Sequence, residues 1–338
     1  MKNKHLLRVA MLCAAFVTLA ALLTGTGMAS SSATIRGGLV SDVGRFNDRS
    51  FNQSALEGMK RAAQVLNIKY KAVESKSTND YIPNLESLAR AKYNIIISVG
   101  FLLADATHAT AEKYPTNKFA IIDYSINDAP FKGDKNVAGL TFNTNENSYL
   151  IGCLAAFKAK EKGKKIISAV GGLNIPTVSI FIAGYRAGAK KCVRGTKTLV
   201  NFSQTFNDQS KCKELALNQI AAGSQVVFQV AGGCGLGALS AAKSKGKWGI
   251  GVDKDQGGLG SFILTSAVKR VDNSVFLTVQ AVKAGKFKGG RNLVFNLKNK
   301  GVALGKLSSR CKCAKYMKKV NSLKALIIKG KIRPPKKL

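Results

Sequence analysis

The chain has 338 residues, of which 46% are hydrophobic and 21% are charged, and its formal net charge at pH 7 is +35. This hydrophobic content excludes a disordered chain, and the length is sufficient for two lobes with separate cores. After residue 29, no stretch reaches ~18 uninterrupted apolar residues, so we expect the remainder to be soluble and not membrane-spanning.

In chain order, the first element is a predicted export signal at residues 1–29. Lys2, Lys4 and Arg8 make a positive start, and residues 6–23 are apolar except for Arg8 and Thr18. Gly27 and Ala29 are small residues at the positions that a signal peptidase reads. The apolar segment is near the lower length limit for a membrane span, so retention as an anchor is the alternative to cleavage. We expect an exported protein at the periplasmic or extracellular face of the cytoplasmic membrane.

Short β-rich runs then alternate with amphipathic helices, which is typical of α/β folds with parallel sheets. The predicted strands are 35–40, 68–73, 95–99, 119–122, 137–142, 166–170, 198–202, 226–230, 249–252 and 263–265. The predicted helices are 50–66, 82–92, 102–114, 147–162, 176–191, 211–222 and 236–245. Residues 226–230, VVFQV, are almost entirely apolar, which indicates a strand covered on both faces.

The strands form two series that divide near residues 141–146, which predicts two similar doubly wound lobes. Asn145 is expected to cap the next helix, with Glu146 in its first turn. A helix near residues 271–284 is expected to return to the first lobe, so that the chain crosses more than once. The predicted division is residues 30–143 and about 270–298 in the first lobe, 144–269 and about 299–330 in the second, and 331–338 as a loose basic tail.

In open parallel sheets, ligands bind at the carboxyl ends of the strands. This rule selects acids, a lysine and a glycine that directly follow predicted strands, and with two lobes their loops face a common cleft. Among the selected residues are Asp42, Asp123, Gly232, Asp253 and Lys269, and the rule also selects loop residues at 44, 100–101, 124, 171–172, 204–208 and 233. Core packing or simple solvation is the alternative for each residue taken alone.

Two phenylalanines suggest how a ligand would be held in such a cleft. Phe51 lies in the segment SDVGRFNDRSFNQ at residues 41–53, and Phe206 lies in the second lobe; each stands in a polar loop that opens a helix. One from each lobe, they can sandwich a flat ring. Asn52 and Asp123 would then bond the ring edge. Asp253 would accept hydrogen bonds from a vicinal diol, with Lys269 beside it.

The sequence contains little that indicates a catalytic site or a cofactor-binding site. Residues 233–237, GCGLG, follow a strand and open a helix, but their glycine spacing differs from the dinucleotide fingerprint, which favours a tight loop beside a small ligand. His108 is the only histidine after the signal, and no recognised catalytic motif occurs. We therefore expect no enzymatic activity, no cofactor and no metal site.

Six cysteines follow the signal, an even number for an oxidising compartment. Cys212 is predicted in the first turn of a helix and Cys234 in the loop after the next strand, so both lie at one sheet edge and a disulfide between them is favoured. Cys311 and Cys313 are too close for an easy disulfide with each other, and their pairing stays open.

The positive charge increases toward the end of the chain, where residues 273–338 contain 18 Lys and Arg and no Asp or Glu. A solvated basic surface and attraction to an anionic membrane or cell wall are the two interpretations. Nucleic-acid binding is not favoured, because the cations are scattered and no basic motif is interleaved with aromatic residues.

Several motifs in one order resemble the basic membrane protein family, the substrate-binding proteins of ABC importers that include purine nucleoside receptors. They are residues 41–53, IIDY at 121–124, SQTFNDQ at 203–209, FQVAGGCG at 228–235, GVDKDQ at 251–256 and TSAVKRVD at 265–272. The resemblance implies the type I periplasmic-binding-protein fold, with two Rossmann-like lobes joined by a multi-strand hinge, and a monomer that delivers a nucleoside to an ABC permease.

The resemblance also implies roles for eight residues. Phe51 and Phe206 would stack the base; Asp42, Asn52 and Asp123 would address its edge; Gly232, Asp253 and Lys269 would address the ribose. One departure is Thr26, which stands where the family has a lipid-modified cysteine. The alternatives are a sugar-binding or surface-adhesion protein of the same fold, and, less favoured, a nucleoside hydrolase or a nicotinamide-dependent oxidoreductase.

Overall fold

Two six-stranded sheets organise the chain, and a computed structural model describes them within residues 34–338. The predicted signal at residues 1–29 lies outside the described residues. Residues 35–338 form one compact unit. No helix among residues 34–338 is long and apolar enough to cross a membrane.

The first sheet is entirely parallel and has the strand order β11-β5-β4-β3-β1-β2. Its strands are β1 (Arg36–Ser41), β2 (Lys69–Val73), β3 (Ile95–Val99), β4 (Phe119–Ile122), β5 (Val137–Phe142) and β11 (Arg291–Phe295). The helices that follow its first strands are α1 (Phe51–Leu66), α2 (Tyr81–Arg90) and α3 (Ala104–Lys113). Strand β3 is buried over its whole length, as expected for a strand covered by helices on both faces.

The second sheet repeats the same order, β12-β10-β9-β8-β6-β7, with only β12 antiparallel to its neighbour. Its strands are β6 (Ile166–Gly171), β7 (Lys197–Phe202), β8 (Val226–Val230), β9 (Trp248–Asp253), β10 (Ile263–Lys269) and β12 (Val302–Leu304). The helices along this part of the chain are α4 (Thr144–Lys160), α5 (Pro176–Cys192), α6 (Gln209–Ala221), α7 (Gly235–Ser244), α8 (Val271–Lys283) and α9 (Ala314–Ile328). Of these, α8 returns to the first lobe and packs against α1. In both lobes the strand order reverses beside the first strand, which is where doubly wound sheets bind ligands.

The chain passes between the lobes three times, after β5, after β10 and after β11. Backbone hydrogen bonds tie these crossings together, from Asn143 N to Phe295 O (2.8 Å) and from Arg270 N to Gly301 O (2.9 Å). The Phe142 and Phe295 rings stack beside them, with centroids 4.9 Å apart. The lobes are therefore joined by a multi-strand hinge, as the fold of this class requires.

Helix α4 differs from its prediction. It begins at Thr144, three residues earlier than expected, and Asn145 lies inside the first turn, where its side-chain amide donates to Pro334 O (2.6 Å). The expectation that Asn145 caps the helix is wrong. Because this contact and the burial of Pro334 fix part of the C-terminal segment, residues 331–338 are not wholly loose.

Helices α4 and α5 cross so closely that glycine is required at the contact. A Cβ at Gly152 would lie 2.0 Å from Tyr185 O, and one at Gly188 would lie 1.8 Å from Tyr149 O. This close approach lets α4 occupy the interior between the hinge and the second sheet, where most of its residues are buried.

The six cysteines of the described chain are joined in pairs. Cys153 of α4 is joined to Cys192 at the end of α5, and Cys212 of α6 is joined to Cys234 just before α7. Cys311 and Cys313, whose pairing the sequence left open, are joined to each other. The first two links fasten helices of the second lobe to one another.

Candidate functional site

A cavity lies where the carboxyl ends of the two sheets face each other. Its empty space, including the part open to solvent, is about 600 Å³. All eight residues that the sequence selected line it: Asp42, Phe51, Asn52, Asp123, Phe206, Gly232, Asp253 and Lys269. They come from several distant segments of the sequence and meet here because parallel strands end at one edge.

The segment after β1 builds the first wall through one carboxylate. Asp42 is buried and accepts hydrogen bonds from Gly44 N (2.8 Å) and from the Asn52 side-chain amide (2.8 Å). A Cβ at Gly44 would lie 2.6 Å from that amide nitrogen, so glycine is needed for the loop to fold back over Asp42. Asn52 Oδ1 is buried and has no hydrogen-bond partner within the described residues, which leaves one acceptor in this wall.

Asp48 fixes the helix that presents Phe51 and Asn52. Its carboxylate accepts hydrogen bonds from the backbone N–H groups of Ser50 (2.9 Å), Asn52 (2.9 Å) and Gln53 (3.0 Å). These are donors that a helix start otherwise leaves unsatisfied, and a carboxylate there is favoured by the helix dipole. The sequence analysis did not select Asp48, although it lies within the same motif, because Asp in a polar loop is usually solvated.

Asp123 and Asp253 occupy equivalent positions at the ends of the fourth strand of each lobe. Both adopt left-handed backbone conformations, with φ of 69° and 61°, which Asp tolerates better than most residues. Asp123 forms an ion pair with Lys269, whose side chain is 3% exposed. Asp253 accepts a hydrogen bond from Ser50 Oγ (2.7 Å). Each fourth-strand acid is therefore held by a residue of the opposite lobe.

Further polar contacts join the lobes around the cavity. The Asn207 side-chain amide donates to Val43 O (3.0 Å), and the Gln256 side-chain amide donates to Arg49 O (3.2 Å). At the exposed rim, Lys254 pairs with Glu57 at 2.5 Å. These contacts hold the two lobes close together across the cavity.

Aromatic rings supply the apolar part of the cavity. Phe206 packs against the end of β6, where a Cβ at Gly172 would lie 2.3 Å from its ring. Phe51 stands beside Lys269, whose ammonium nitrogen is 4.5 Å from the ring centroid. Phe181 of α5 also lines the cavity, with the Lys269 nitrogen 5.9 Å from its ring. Sequence reasoning missed Phe181 because its helical spacing is that of an ordinary core residue.

The beginning of α5 contributes a third set of contacts that the sequence did not predict. Its members are Ile175, directly before α5, and Thr177 and Val178 in the first turn of α5. Pro176 at the first helical position is a signal for a helix start after a strand end, and it could have indicated this wall.

Burial controls the ionisation of the cavity acids. Desolvation raises the pKa of Asp42 to about 6 and the pKa of Asp253 to about 6, against the lowering effects of their hydrogen bonds and, for Asp253, of the nearby Lys269. Desolvation also raises the pKa of Asp48 and of Asp123, and Lys269 opposes the rise for Asp123. Above pH 6 the cavity is rich in hydrogen-bond acceptors.

The same charges limit what the cavity can hold. Its charged lining consists of the carboxylates of Asp42, Asp48, Asp123 and Asp253 and the ammonium of Lys269. Within residues 34–338, no group of three or more His, Cys, Asp or Glu is placed to hold a metal ion. The arrangement suits a neutral molecule that has several N–H or O–H donors and a flat apolar face.

The chain is similar in sequence and in fold to substrate-binding proteins of ABC transporters. The chain is 38% identical, over 90% of each sequence, to the ABC transporter nucleoside-binding protein BmpA of Lactococcus lactis, and 36% identical, over 75% of each, to basic membrane protein A2 of Borrelia garinii. A solute-binding protein of an ABC transporter system from Aeropyrum pernix superposes with a TM-score of 0.81 at 27% identity, covering 89% of this chain and 94% of the other. Residues 36–337 match the Bmp family, so the chain belongs to the PnrA-like substrate-binding proteins of ABC transporters.

Proposed function

We propose that this protein captures a nucleoside, preferentially a purine nucleoside, outside the cytoplasmic membrane and delivers it to the permease of an ABC importer. The observation that carries the proposal is the convergence of four carboxylates, three of them buried and that of Asp123 11% exposed, and two phenylalanines from opposite lobes on one cavity. The name of the Lactococcus lactis relative, a nucleoside-binding protein, supports the same ligand class. The purine preference rests on the resemblance to the purine nucleoside receptors.

In this proposal the ligand divides the cavity into two sides. Phe51 and Phe206 stack on the base, while Asp42, Asn52 and Asp123 accept hydrogen bonds from its edge. Gly232, Asp253 and Lys269 address the ribose. The acceptor character of the base side is supported by Asn52 Oδ1, which has no partner within residues 34–338, and by the ionised state of Asp42 above pH 6.

Closure of the two lobes is the proposed mechanism. A ligand that contacts both lobes stabilises the closed arrangement more than the open one and so increases its population. The contacts from Ser50 to Asp253 and from Lys269 to Asp123 already cross between the lobes, so ligand groups at these acids add to an existing closed geometry. The closed form is then the form that docks on the permease, and the ligand is released unchanged.

Thermal-shift and calorimetric titrations with nucleosides, free bases and pentoses test the proposal. We expect adenosine, guanosine or inosine to raise the melting temperature strongly, because a ligand that binds only the folded protein stabilises it. A response to pentoses without nucleosides would instead identify a sugar-binding protein. Release of free base during the titration would identify a hydrolase.

Phe206→Leu gives a matched test of base stacking, since leucine keeps most of the apolar volume and removes the ring. A stacked base face contributes about 1–3 kcal/mol, so nucleoside affinity should fall by about tenfold or more. The melting temperature without ligand should change little. An unchanged affinity together with a large loss of stability would show that Phe206 is only a core residue.

A further inference from the structure

The edge of the second sheet opposite the cavity collects positive charge from several loops. Strands β6 to β9 are parallel and begin there, and β12 ends there because it is antiparallel to β10. We define the amino edge as residues 158–165, 190–197, 243–247 and 305–315. These segments contain 16 Lys and Arg and a single acid, Glu161.

Most of these cations are free to meet a partner. Glu161 pairs with Lys158 and with Lys315, and within residues 34–338 the other amino-edge cations form no ion pair. Fourteen of the cations are exposed. They are Lys160, Lys162, Lys164, Lys165, Lys190, Lys191, Arg194, Lys197, Lys243, Lys245, Lys306, Arg310, Lys312 and Lys315.

The segments form one continuous surface. Lys197 N donates to Lys165 O (2.8 Å), and the buried Lys158 ammonium donates to Cys311 O (3.0 Å), so neighbouring segments are fastened to each other. Trp248 at the start of β9 is half-buried within this surface, 5.4 Å from the guanidinium carbon of Arg310. Six strands at ~4.8 Å spacing give the edge a width of about 24 Å.

We propose that the amino edge is a docking surface for an anionic lipid bilayer. Cations spread over one edge of a sheet complement a plane of phosphate headgroups, and each Lys or Arg near such a surface adds to the attraction. Twelve of the fourteen exposed cations are lysines, which act as point charges and do not provide the bidentate geometry that arginine uses to select single phosphates. The amino edge carries none of the exposed large hydrophobic side chains, so the attachment is electrostatic and reversible by salt.

The test uses residues 30–338, because residues 35–338 form one compact unit, and vesicles of phosphatidylcholine with or without phosphatidylglycerol. The amino-edge variant carries Lys162→Gln, Lys164→Gln and Lys245→Gln. The control variant carries Lys118→Gln, Lys132→Gln and Lys135→Gln, three exposed lysines just before β4 and β5 of the first lobe. Both variants lose three positive charges, so they share the same net charge.

We expect the amino-edge variant to bind phosphatidylglycerol vesicles at least about tenfold more weakly than the wild type, and the control to stay within about threefold. Trp248 is the only tryptophan, and its emission should change with anionic vesicles in the wild type and the control. If both variants lost the same amount of vesicle affinity, net charge alone would explain the binding, and the proposal would be overturned. Binding to soluble polyphosphate without vesicle binding would assign the surface to a wall polymer and would also overturn it. None of these outcomes depends on nucleoside binding, so the bilayer proposal and the proposed nucleoside function can fail independently.

Discussion

The two edges of the second sheet differ in their charge balance, since Lys269 accompanies Asp253 at the cavity edge and cations dominate the other edge. The cavity edge contributes Asp253, and with the first lobe it gathers four of the 18 acids of the chain around one lysine. The amino edge gathers 16 cations around one acid. A net charge of +35 is therefore not a uniform property of this molecule: the cavity is locally acidic, although cations dominate the surface elsewhere.

Burial explains why the two edges behave differently. At the cavity edge, charges are removed from water, so each needs a defined partner, and Lys269 supplies one for Asp123. At the amino edge, cations remain solvated and need no partner, so they accumulate at little cost. The comparison predicts that the same substitution has very different consequences at the two edges.

The largest effect is expected from Lys269→Met. It leaves the Asp123 carboxylate buried without its counter-charge, so the free energy of unfolding should fall by about 3–5 kcal/mol in urea denaturation. Lys164→Met at the exposed amino edge is the matched control and should change stability by less than about 0.5 kcal/mol. The double variant Asp123→Asn with Lys269→Met should recover much of the loss. If Lys269→Met and Lys164→Met both lowered the free energy of unfolding only slightly, burial would not distinguish the two edges.

A smaller effect is expected from a change of pH. It should alter nucleoside binding at the cavity edge and leave vesicle binding at the amino edge unchanged. The pKa values of Asp42 and Asp253 are about 6, so both acids become protonated between pH 7 and pH 5. If a nucleoside bonds the ionised carboxylates, its affinity should fall about tenfold for each acid over this interval. Attachment to anionic vesicles should persist, because lysine stays charged.

Lowering the pH from 7 to 5 should act on the stability of the ligand-free protein in the direction opposite to its effect on nucleoside affinity. A carboxylate whose pKa is raised by folding contributes stability at low pH that is lost as the pH rises through about 6. The melting temperature without nucleoside should therefore not decrease between pH 7 and pH 5, which separates a loss of ligand contacts from unfolding. Calorimetry at both pH values checks this, and an affinity independent of pH would contradict the role of these acids.

The smallest effect is expected at the rim of the cavity. Glu57→Gln breaks the inter-lobe pair with Lys254, whose members are 45% and 27% exposed, so stability should change by less than about 1 kcal/mol. The change should disappear in high salt, unlike that of Lys269→Met. A loss as large as that of the buried pair would mean that the rim contact controls closure.

Much of the fold could be predicted because the two lobes repeat one pattern. Ten predicted strands correspond to β1–β10 within a few residues, since alternating apolar runs and amphipathic helices leave little choice of architecture. The predicted start of α4 is too late, because residues 144–146 resemble a polar loop and only contacts with the hinge bury Thr144 and Asn145. Strands β11 and β12 were not predicted, as short strands at the sheet edges carry weak local signals.

The sequence by itself determined the strand ends, and therefore five of the eight residues that meet at the cavity, because parallel strands bring their carboxyl ends to one edge whatever lies between them. Only the tertiary structure decided how those residues are paired across the lobes. The contacts from Ser50 to Asp253 and from Lys269 to Asp123 join residues far apart in sequence. It also decided which charges are buried, since burial depends on how the lobes pack and not on the identity of any single residue.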